Sequence, residues 1–385
     1  MKKINFSWTN RIGIGVMTGT SCDSIDISAV QFSENSLNQF TIIELSSFPY
    51  PIEIHDFVQK ALTNKLTIAE ISQFNYYISD VYSNAITEFI EKKLTNLPDF
   101  VAVHGQTIWH NPTPTNFLNT QISSTYQAIN ISVVAKKIGI PVVGDFRAAD
   151  IALGGQGAPL VPIFDYHYFS SQNCGRVCVN IGGISNVTIL PKDCSISDVI
   201  AFDCGPGNAL IDLFSRKCFK LPFDYDGNLA NSGIFNQDLF DILLRLDTYQ
   251  LLLPPKSTGK EHYNSQFLDK ALSFLSHPIP NEDIINTLTH YTAFTIAEAI
   301  KKYTDSSYQI ILSGGGIHNK FLISCLKYYL PNYSISSSNE FGIDPDFKEA
   351  IAFAFLGYLL LNEEPANIPS ATGAKQAVIL GTLAI

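Results

Sequence analysis

Near the start of the chain, two short apolar blocks flank a polar gap. Residues 12–16 (IGIGV) and 25–30 (IDISAV) with Phe32 are apolar and partly β-branched, and the stretch 15–26 (GVMTGTSCDSID) spans the space between them. This pattern predicts a strand, a tight Gly/Thr/Ser loop and a second strand. The design returns in the second half: residues 176–181 (RVCVNI), a Gly182-Gly183-Ile184-Ser185-Asn186 loop, then 187–190 (VTIL). After a short link, 199–202 (VIAF) leads into Asp203-Cys204-Gly205-Pro206-Gly207-Asn208. A third glycine loop, Ser313-Gly314-Gly315-Gly316, follows the strand-like 308–312 (YQIIL). The chain therefore reads as α/β, with two related halves that each carry a glycine-rich hairpin. Three glycine loops, each after a strand, suit a nucleotide held by two such halves.

The remaining periodicities fill in the frame. Residues 40–45 read as a strand, and 52–94 carry apolar groups at helical spacing that suggest two helices. A short buried-type strand at 100–103 runs into His104-Gly105-Gln106, placing a histidine where open α/β sheets put their ligands. A histidine satisfied by backbone groups at a strand end is the equal alternative. Residues 129–138 read as a helix and 141–143 as a strand. The polar, glycine-rich segment 144–162 is either a long connector or a substrate loop. It also marks the passage between halves, giving domains of 1–145 plus 365–385 and 146–364. Helices are predicted at 209–220, 237–246 and 283–303, and a buried one at 350–361, opened by Glu349.

Composition narrows the class. With 385 residues, 46% apolar and 16% charged, the chain is long enough for two globular cores. A net charge of −10 argues against nucleic acid or an anionic membrane as partner, because both need a basic surface. Seven cysteines without C-x-x-C spacing read as reduced thiols of a cytosolic protein. The apolar run 350–361 is too short for a membrane span, which needs roughly 20 residues, and the N-terminus lacks the apolar core of a signal peptide.

Asp203 is the leading candidate for chemistry. It ends a strand before a Gly-Pro-Gly turn, placed either as a general base or as an acceptor for backbone N–H groups. Glu349 has a similar pair of roles, a first-turn acid favoured by the helix dipole or a ligand for sugar hydroxyls. Lys256 and Lys260 read as solvated charge or as anion contacts. Zinc-hydrolase, serine-hydrolase and P-loop spacings are missing from the sequence. Phosphoryl transfer fits better, since glycine loops, a divalent cation and one carboxylate supply most of what it needs.

Eight ordered blocks carry a family resemblance: GVMTGTSCDSID, HGQTIWHNP from His104, GDFRAADIALGGQGAPLVP from Gly144, NIGGISNV from Asn180, FDCGPGN from Phe202, PPKSTGKEHYN from Pro254, SGGGIHN from Ser313 and FGIDPDFKEAIAFA from Phe341. Together they resemble the anhydro-N-acetylmuramic acid kinases. The resemblance implies a two-domain actin-like ATPase fold, with duplicated ribonuclease H-like halves and a cleft between them, and a cytoplasmic homodimer. It implies cleavage of the 1,6-anhydro ring by water with phosphorylation of O6, using ATP and Mg²⁺, in peptidoglycan recycling. Asp203 would activate the water. Gly19, Thr20, Ser21, Cys22, Asp23, Ser24, Ile25 and Asp26 would form the ATP loop, opposed by Gly182, Gly183, Asn186 and Gly205, with Gly314, Gly315 and Gly316 near the nucleoside. His104, Arg147, Gln156 and Glu349 would hold the amino sugar. A kinase of another amino sugar or hexose, and a non-catalytic binding relative, are the alternatives. Two departures from the family pattern stand out. Cys22 and Ser24 replace Leu and Gly in G-T-S-L-D-G, and Gln127-Ala128-Ile129 replaces Q-I-G.

Overall fold

The computed structural model describes residues 11–19, 24–33, 39–62, 66–259 and 261–385. Its strands, in chain order, begin with β1 (Ile12–Met17), β2 (Ser24–Phe32), β3 (Phe40–Pro49), β4 (Phe100–Val103), β5 (Gln106–Phe117), β6 (Thr120–Ala128) and β7 (Val142–Gly144). They continue with β8 (Arg176–Ile181), β9 (Ser185–Leu190), β10 (Ile200–Gly205), β11 (Gln309–Ser313), β12 (Ser334–Ser337) and β13 (Thr382–Ala384). The helices begin with α1 (Ile52–Leu62), α2 (Ile68–Lys93), α3 (Ile131–Ile138), α4 (Ala148–Ala152), α5 (Pro162–Phe169) and α6 (Ala209–Phe214). They continue with α7 (Asn228–Ser232), α8 (Gln237–Leu246), α9 (Ser265–Ser273), α10 (Asn281–Lys301), α11 (Lys320–Tyr329), α12 (Lys348–Leu361) and α13 (Pro369–Thr372).

The chain divides into two compact units, Met1–Tyr168 with Phe347–Ile385, and Phe169–Asp346. The first holds a six-stranded sheet in the order β13-β7-β4-β1-β2-β3, and the second a five-stranded sheet in the order β10-β9-β8-β11-β12. In the first, β1, β2 and β3 form an antiparallel meander while β4 and β7 add in parallel beyond β1. In the second, β8, β9 and β10 form the meander and β11 and β12 add in parallel beyond β8. Apart from β13, the two sheets share one order and one set of directions. The duplication read from the glycine hairpins is thus real at the level of topology, and the two-domain α/β class expected of actin-like ATPases is the one observed. In each sheet the parallel strands place their C-terminal ends on one edge, where ligand loops of such sheets collect.

The unit boundaries differ from those expected at 145/146 and 364/365, and α12 shows why. Every residue of this helix except Glu349 and Leu360 is buried, and it packs on β1, β2 and β4 of the first sheet. A Cβ on Gly15 would lie 1.9 Å from the Ala350 carbonyl oxygen, and one on Gly357 would lie 2.7 Å from the Ala102 Cβ. Glycine at both positions lets helix and sheet approach without a clash. At the helix start, Lys348 Nζ meets Asp165 Oδ1 of α5 at 2.7 Å, with both side chains only 3% exposed. Apolar burial of about 1.5–3 kcal/mol per large side chain and this buried ion pair tie α5 and α12 to the first unit. The second unit centres on α10, which packs against β9, β10, α7, α8 and α11.

Two elements escaped the pattern. Residues 106–128 form the long hairpin β5–β6, whose Pro112 and Pro114 and largely exposed polar alternation hide it from a hydrophobic reading. The segment 144–162 contains the short helix α4, whose Asp150 is fully buried. No helix among the described residues is long and apolar enough to cross a membrane.

Candidate active site

In the second unit, the glycine loops after β8, β10 and β11 lie side by side. The loop after β10 is stitched to the loop after β8 by Asn208 N–H donating to the Gly182 carbonyl (2.9 Å) and Ala209 N–H to the Gly183 carbonyl (3.0 Å). Gly207 has φ +50°, and a Cβ there would come within 2.5 Å of the Gly182 carbonyl oxygen. On the other side, Gly314 (φ +82°) would place a Cβ 2.5 Å from Asn180 Oδ1, and Gly316 one 2.3 Å from Ile181 Cγ2. Gly315 differs from its neighbours: a Cβ there meets nothing within 4 Å. Its backbone is approachable from outside.

Asp203 sits where β10 breaks register against β9, directly across from Asn186. It is half-buried. Thr258 N–H donates to its Oδ2 at 2.8 Å, its own N–H donates to the Lys256 carbonyl at 3.3 Å, and Tyr249 Oη donates to its carbonyl at 2.7 Å. The backbone bond from Thr258 orients this carboxylate. The neighbouring Cys204 is fully buried, and burial pushes its thiol up to about 12. It is an inert structural thiol. Cys174, Cys178, Cys194, Cys218 and Cys325 are likewise thiols, outside any disulfide.

Lys256 corrects the sequence reading. It is 8% exposed, and its ammonium lies over the Tyr249 ring (4.3 Å) and the Phe202 ring (5.5 Å). Burial lowers its pKa. Its burial rules out the reading as solvated charge. Lys260 lies outside the described residues.

In the first unit, the loops after β1, β4 and β7 share one sheet edge. Gly19 follows Thr18, whose Oγ1 hydrogen-bonds Tyr82 Oη at 2.6 Å. Thr20, Ser21, Cys22 and Asp23 lie outside the described residues. Ser24 opens β2 opposite Pro49, in strand conformation, so its replacement of glycine carries no left-handed strain. Ile25 turns its side chain into the core at 1% exposed. Asp26 accepts from Ser24 Oγ (3.0 Å) and Ser47 Oγ (2.7 Å).

His104 directly follows β4, is 5% exposed, and has its ring 5.0 Å from that of Phe353. Arg147 donates to its Nε2 from Nε at 3.1 Å and to the Gly157 carbonyl at 2.6 Å. Burial first, then the Arg147 charge, holds His104 well below the ordinary histidine value. The same causes, in the same order, bring His110 to about 4. Glu349 is raised by burial, a shift opposed by Lys348 and Arg147 and reinforced by Asp26. Lys348, Asp26 and Arg147 are thus among the charges that act on Glu349. His104 Nδ1, Gln106 Oε1 and His110 Nε2 are buried without a hydrogen-bond partner, which is costly unless a ligand or water completes them. Gln156 is held through its backbone, with its N–H on the Thr372 carbonyl at 2.8 Å.

Sequence reasoning missed two buried carboxylates that organise these loops. Asp150 accepts from Gly157 N–H, Asn367 Nδ2 and Thr372 Oγ1, each at 2.7 Å. Asp247 gathers two tyrosines, a glutamine and a histidine behind Asp203. An Asp inside the glycine-rich 144–162 block was a signal for the first; Asp247 lies at the end of an ordinary amphipathic helix and gave none.

A family model described as anhydro-N-acetylmuramic acid kinase matches residues 11–385. The chain belongs to the anhydro-N-acetylmuramic acid kinase family. It is 36% identical over 385 residues to the anhydro-N-acetylmuramic acid kinase of Caldanaerobacter subterraneus subsp. tengcongensis, covering 97% of each chain. It is 38% identical over 377 residues to that of Francisella tularensis subsp. novicida, covering 96% of this chain and 97% of the relative. Among solved structures, a ROK family glucokinase from Streptomyces griseus in complex with glucose and AMPPNP is similar at a TM-score of 0.41 and 12% identity, over 90% of this chain and 98% of that one. That likeness is too loose to bear on the site. As a member of the anhydro-N-acetylmuramic acid kinase family, the protein is a phosphotransferase with an alcohol group as acceptor. Among the described residues no three His, Cys, Asp or Glu side chains cluster as a metal site. Magnesium in phosphoryl-transfer sites takes one or two carboxylates plus phosphate oxygens, and Asp26, fixed by two serine hydroxyls, fits that donor set.

Proposed function

We propose that the enzyme couples hydrolysis of the 1,6-anhydro ring of 1,6-anhydro-N-acetylmuramic acid to phosphorylation of O6 by ATP, giving N-acetylmuramic acid 6-phosphate and ADP. Asp203 accepts a proton from water as the water oxygen attacks the anomeric carbon. The bond from that carbon to O6 breaks, O6 takes the γ-phosphoryl group, and ADP leaves. The loop from Gly19 to Asp26 and the loops at Gly182, Gly183, Asn186, Gly205 and Gly314 to Gly316 bind the nucleotide through backbone N–H groups. Asp26, held by the Ser24 and Ser47 hydroxyls, would help to hold a Mg²⁺ ion, which would supply charge neutralisation for the phosphates when bound. His104, Arg147, Gln156 and Glu349 bind the sugar: neutral His104 and protonated or charged Glu349 meet hydroxyls, and Arg147 meets the lactyl carboxylate or a neighbouring oxygen.

The observation that carries this reading is the setting of Asp203. Its carboxylate stands at the C-terminal edge of the sheet, oriented by Thr258 N–H and beside two interlocked glycine loops. A base must be held within reach of its proton before its pKa matters. The test is one incubation with ATP, Mg²⁺ and the anhydro sugar in ¹⁸O-labelled water, read promptly by mass spectrometry. The expected product is a 6-phosphorylated sugar with label at the anomeric oxygen. A phosphorylated product that retains the anhydro ring overturns the coupled reaction. Asp203→Asn is expected to abolish turnover while ATP still binds; loss of both assigns Asp203 a structural role instead.

A further inference from the structure

The segment from Asp247 to Thr258 holds the end of β10 at four points. Tyr249 Oη donates to the Asp203 carbonyl (2.7 Å) and Gln250 Nε2 to the Cys204 carbonyl (2.9 Å). From the other side, the Lys256 carbonyl receives the Asp203 N–H, and Thr258 N–H reaches the Asp203 carboxylate at 2.8 Å. These bonds fall on the two residues where β10 slips register against β9. A bulge re-aims a side chain, and its angle is set by whatever satisfies the backbone groups it frees.

Behind this clamp lies Asp247, 2% exposed. Its Oδ2 accepts from Tyr263 Oη (2.8 Å), from Tyr291 Oη and from Gln250 Nε2 (3.2 Å), and its Oδ1 faces His262 Nε2 at 3.2 Å. Gln250 has two amide protons. One goes to the Cys204 carbonyl, and the other is shared between Asp247 Oδ2 and Tyr263 Oη, the latter at 3.3 Å. Burial, followed by nearby negative charge, raises the pKa of both tyrosines, so each remains a donor to Asp247. Tyr263, Tyr291 and Asp247 together leave Gln250 one way to point. A fully satisfied buried network of this kind rigidifies what it touches.

We propose that Gln250 and Tyr249, anchored by Asp247, are positioning residues for Asp203, fixing the bulged backbone from which its carboxylate is aimed. The proposal rests on the reading of Asp203 as the base. None of the three touches the reacting atoms; they act through the Asp203–Cys204 peptide. Misplacing a catalytic group by about 1 Å costs on the order of 100-fold in rate, while binding of ATP and sugar through other residues is left in place.

The experiment is steady-state kinetics on the full-length protein for Tyr249→Phe, Gln250→Ala and Asp203→Asn, with thermal unfolding of each. Tyr249→Phe deletes one hydroxyl and keeps the ring over Lys256, so it tests the idea even where Gln250→Ala folds poorly. The expected result is a kcat lowered tenfold to about 100-fold in Tyr249→Phe, with KM for ATP and for the sugar within about twofold of the parent. Gln250→Ala, when folded, should do the same, and Gln250→Asn should restore less than the parent rate. An unchanged kcat in folded Tyr249→Phe and Gln250→Ala, with Asp203→Asn inactive, overturns the positioning role and leaves the base assignment standing. Full activity in Asp203→Asn overturns the base assignment itself. A loss carried wholly by KM overturns the positioning role, because it would place these residues in binding.

Discussion

Arg147 holds His104 from its Nε2 side, donating from Nε at 3.1 Å to an imidazole that is 5% exposed. An imidazole that accepts at Nε2 carries its proton on Nδ1 and is neutral. Burial and the guanidinium both oppose a second proton.

His104 is therefore expected to stay neutral at pH 6, where an ordinary histidine of pKa about 6.5 is mostly charged. The unfolded chain takes up that proton below about pH 6.5 and the native state refuses it. Stability contributed by this site is complete above the unfolded value and falls as pH drops below it. Nitrogen chemical shifts of His104 between pH 5 and 8 check this directly. An imidazolium signal at pH 6 would contradict the Arg147 geometry.

Glu349 carries the opposite sign. Its carboxyl is raised by burial, so the native state holds a proton more tightly than the unfolded chain, and stability from this group grows as pH falls through its folded value. Lys348 opposes the rise. Lys348→Met should move the Glu349 titration further upward, measured by carboxyl carbon NMR; a downward move would show that Lys348 acts on Glu349 other than by its charge.

The Lys348–Asp165 pair makes a separate prediction about stability. With both side chains 3% exposed, removing one partner strands a buried charge. Lys348→Met alone should cost about 3–5 kcal/mol in denaturant unfolding, and adding Asp165→Leu should recover part of it. Equal losses in the single and double variants would mean that packing, rather than the pair, ties α5 to α12.

Gly314 and Gly315 separate folding from nucleotide binding. Gly314→Ala forces a Cβ into a φ +82° backbone against Asn180 and should destabilise the protein by more than about 1 kcal/mol. Gly315→Ala enters open space, so stability should change by less than about 0.5 kcal/mol while KM for ATP rises severalfold. A Gly315→Ala enzyme with unchanged KM for ATP removes Gly315 from the nucleotide loop.

Ile129 shows how a departure from the family pattern is absorbed. Its Cγ2 lies 2.7 Å from where a Gly105 Cβ would stand, and Gly105 has φ +80°. The larger residue therefore fills the space beside the strand end that carries His104. Gly105→Ala is expected to destabilise the first unit through both the left-handed backbone and the clash; unfolding with parental stability would show that Ile129 can yield.

What was readable in the sequence follows from local physics. Period-two apolar blocks ending in glycine define the strands β1, β8 and β11 and the loops after them. An apolar run too short for a membrane defines the buried helix α12. Because those signals repeat, the duplication and the candidate Asp203 are legible in the amino-acid order. The hairpin β5–β6 was not, since its exposed faces are polar and its prolines mimic a loop. Assignment of α5 and α12 to the first unit was also hidden, because it depends in one case on Gly15 and Gly357 letting the sheet meet a helix more than two hundred residues away, and in the other on a Lys–Asp pair. Lys256 read as surface charge and is buried, since hydropathy assigns no residue the two aromatic rings that cover it. The amino-acid order determined which residues could do chemistry, for that is a matter of side-chain type and strand-end placement. Tertiary packing alone decided how they are aimed, because the groups that orient Asp203 and His104, namely Thr258, Tyr249, Gln250 and Arg147, come from segments roughly forty to fifty-five residues distant that only the folded chain brings within hydrogen-bonding reach.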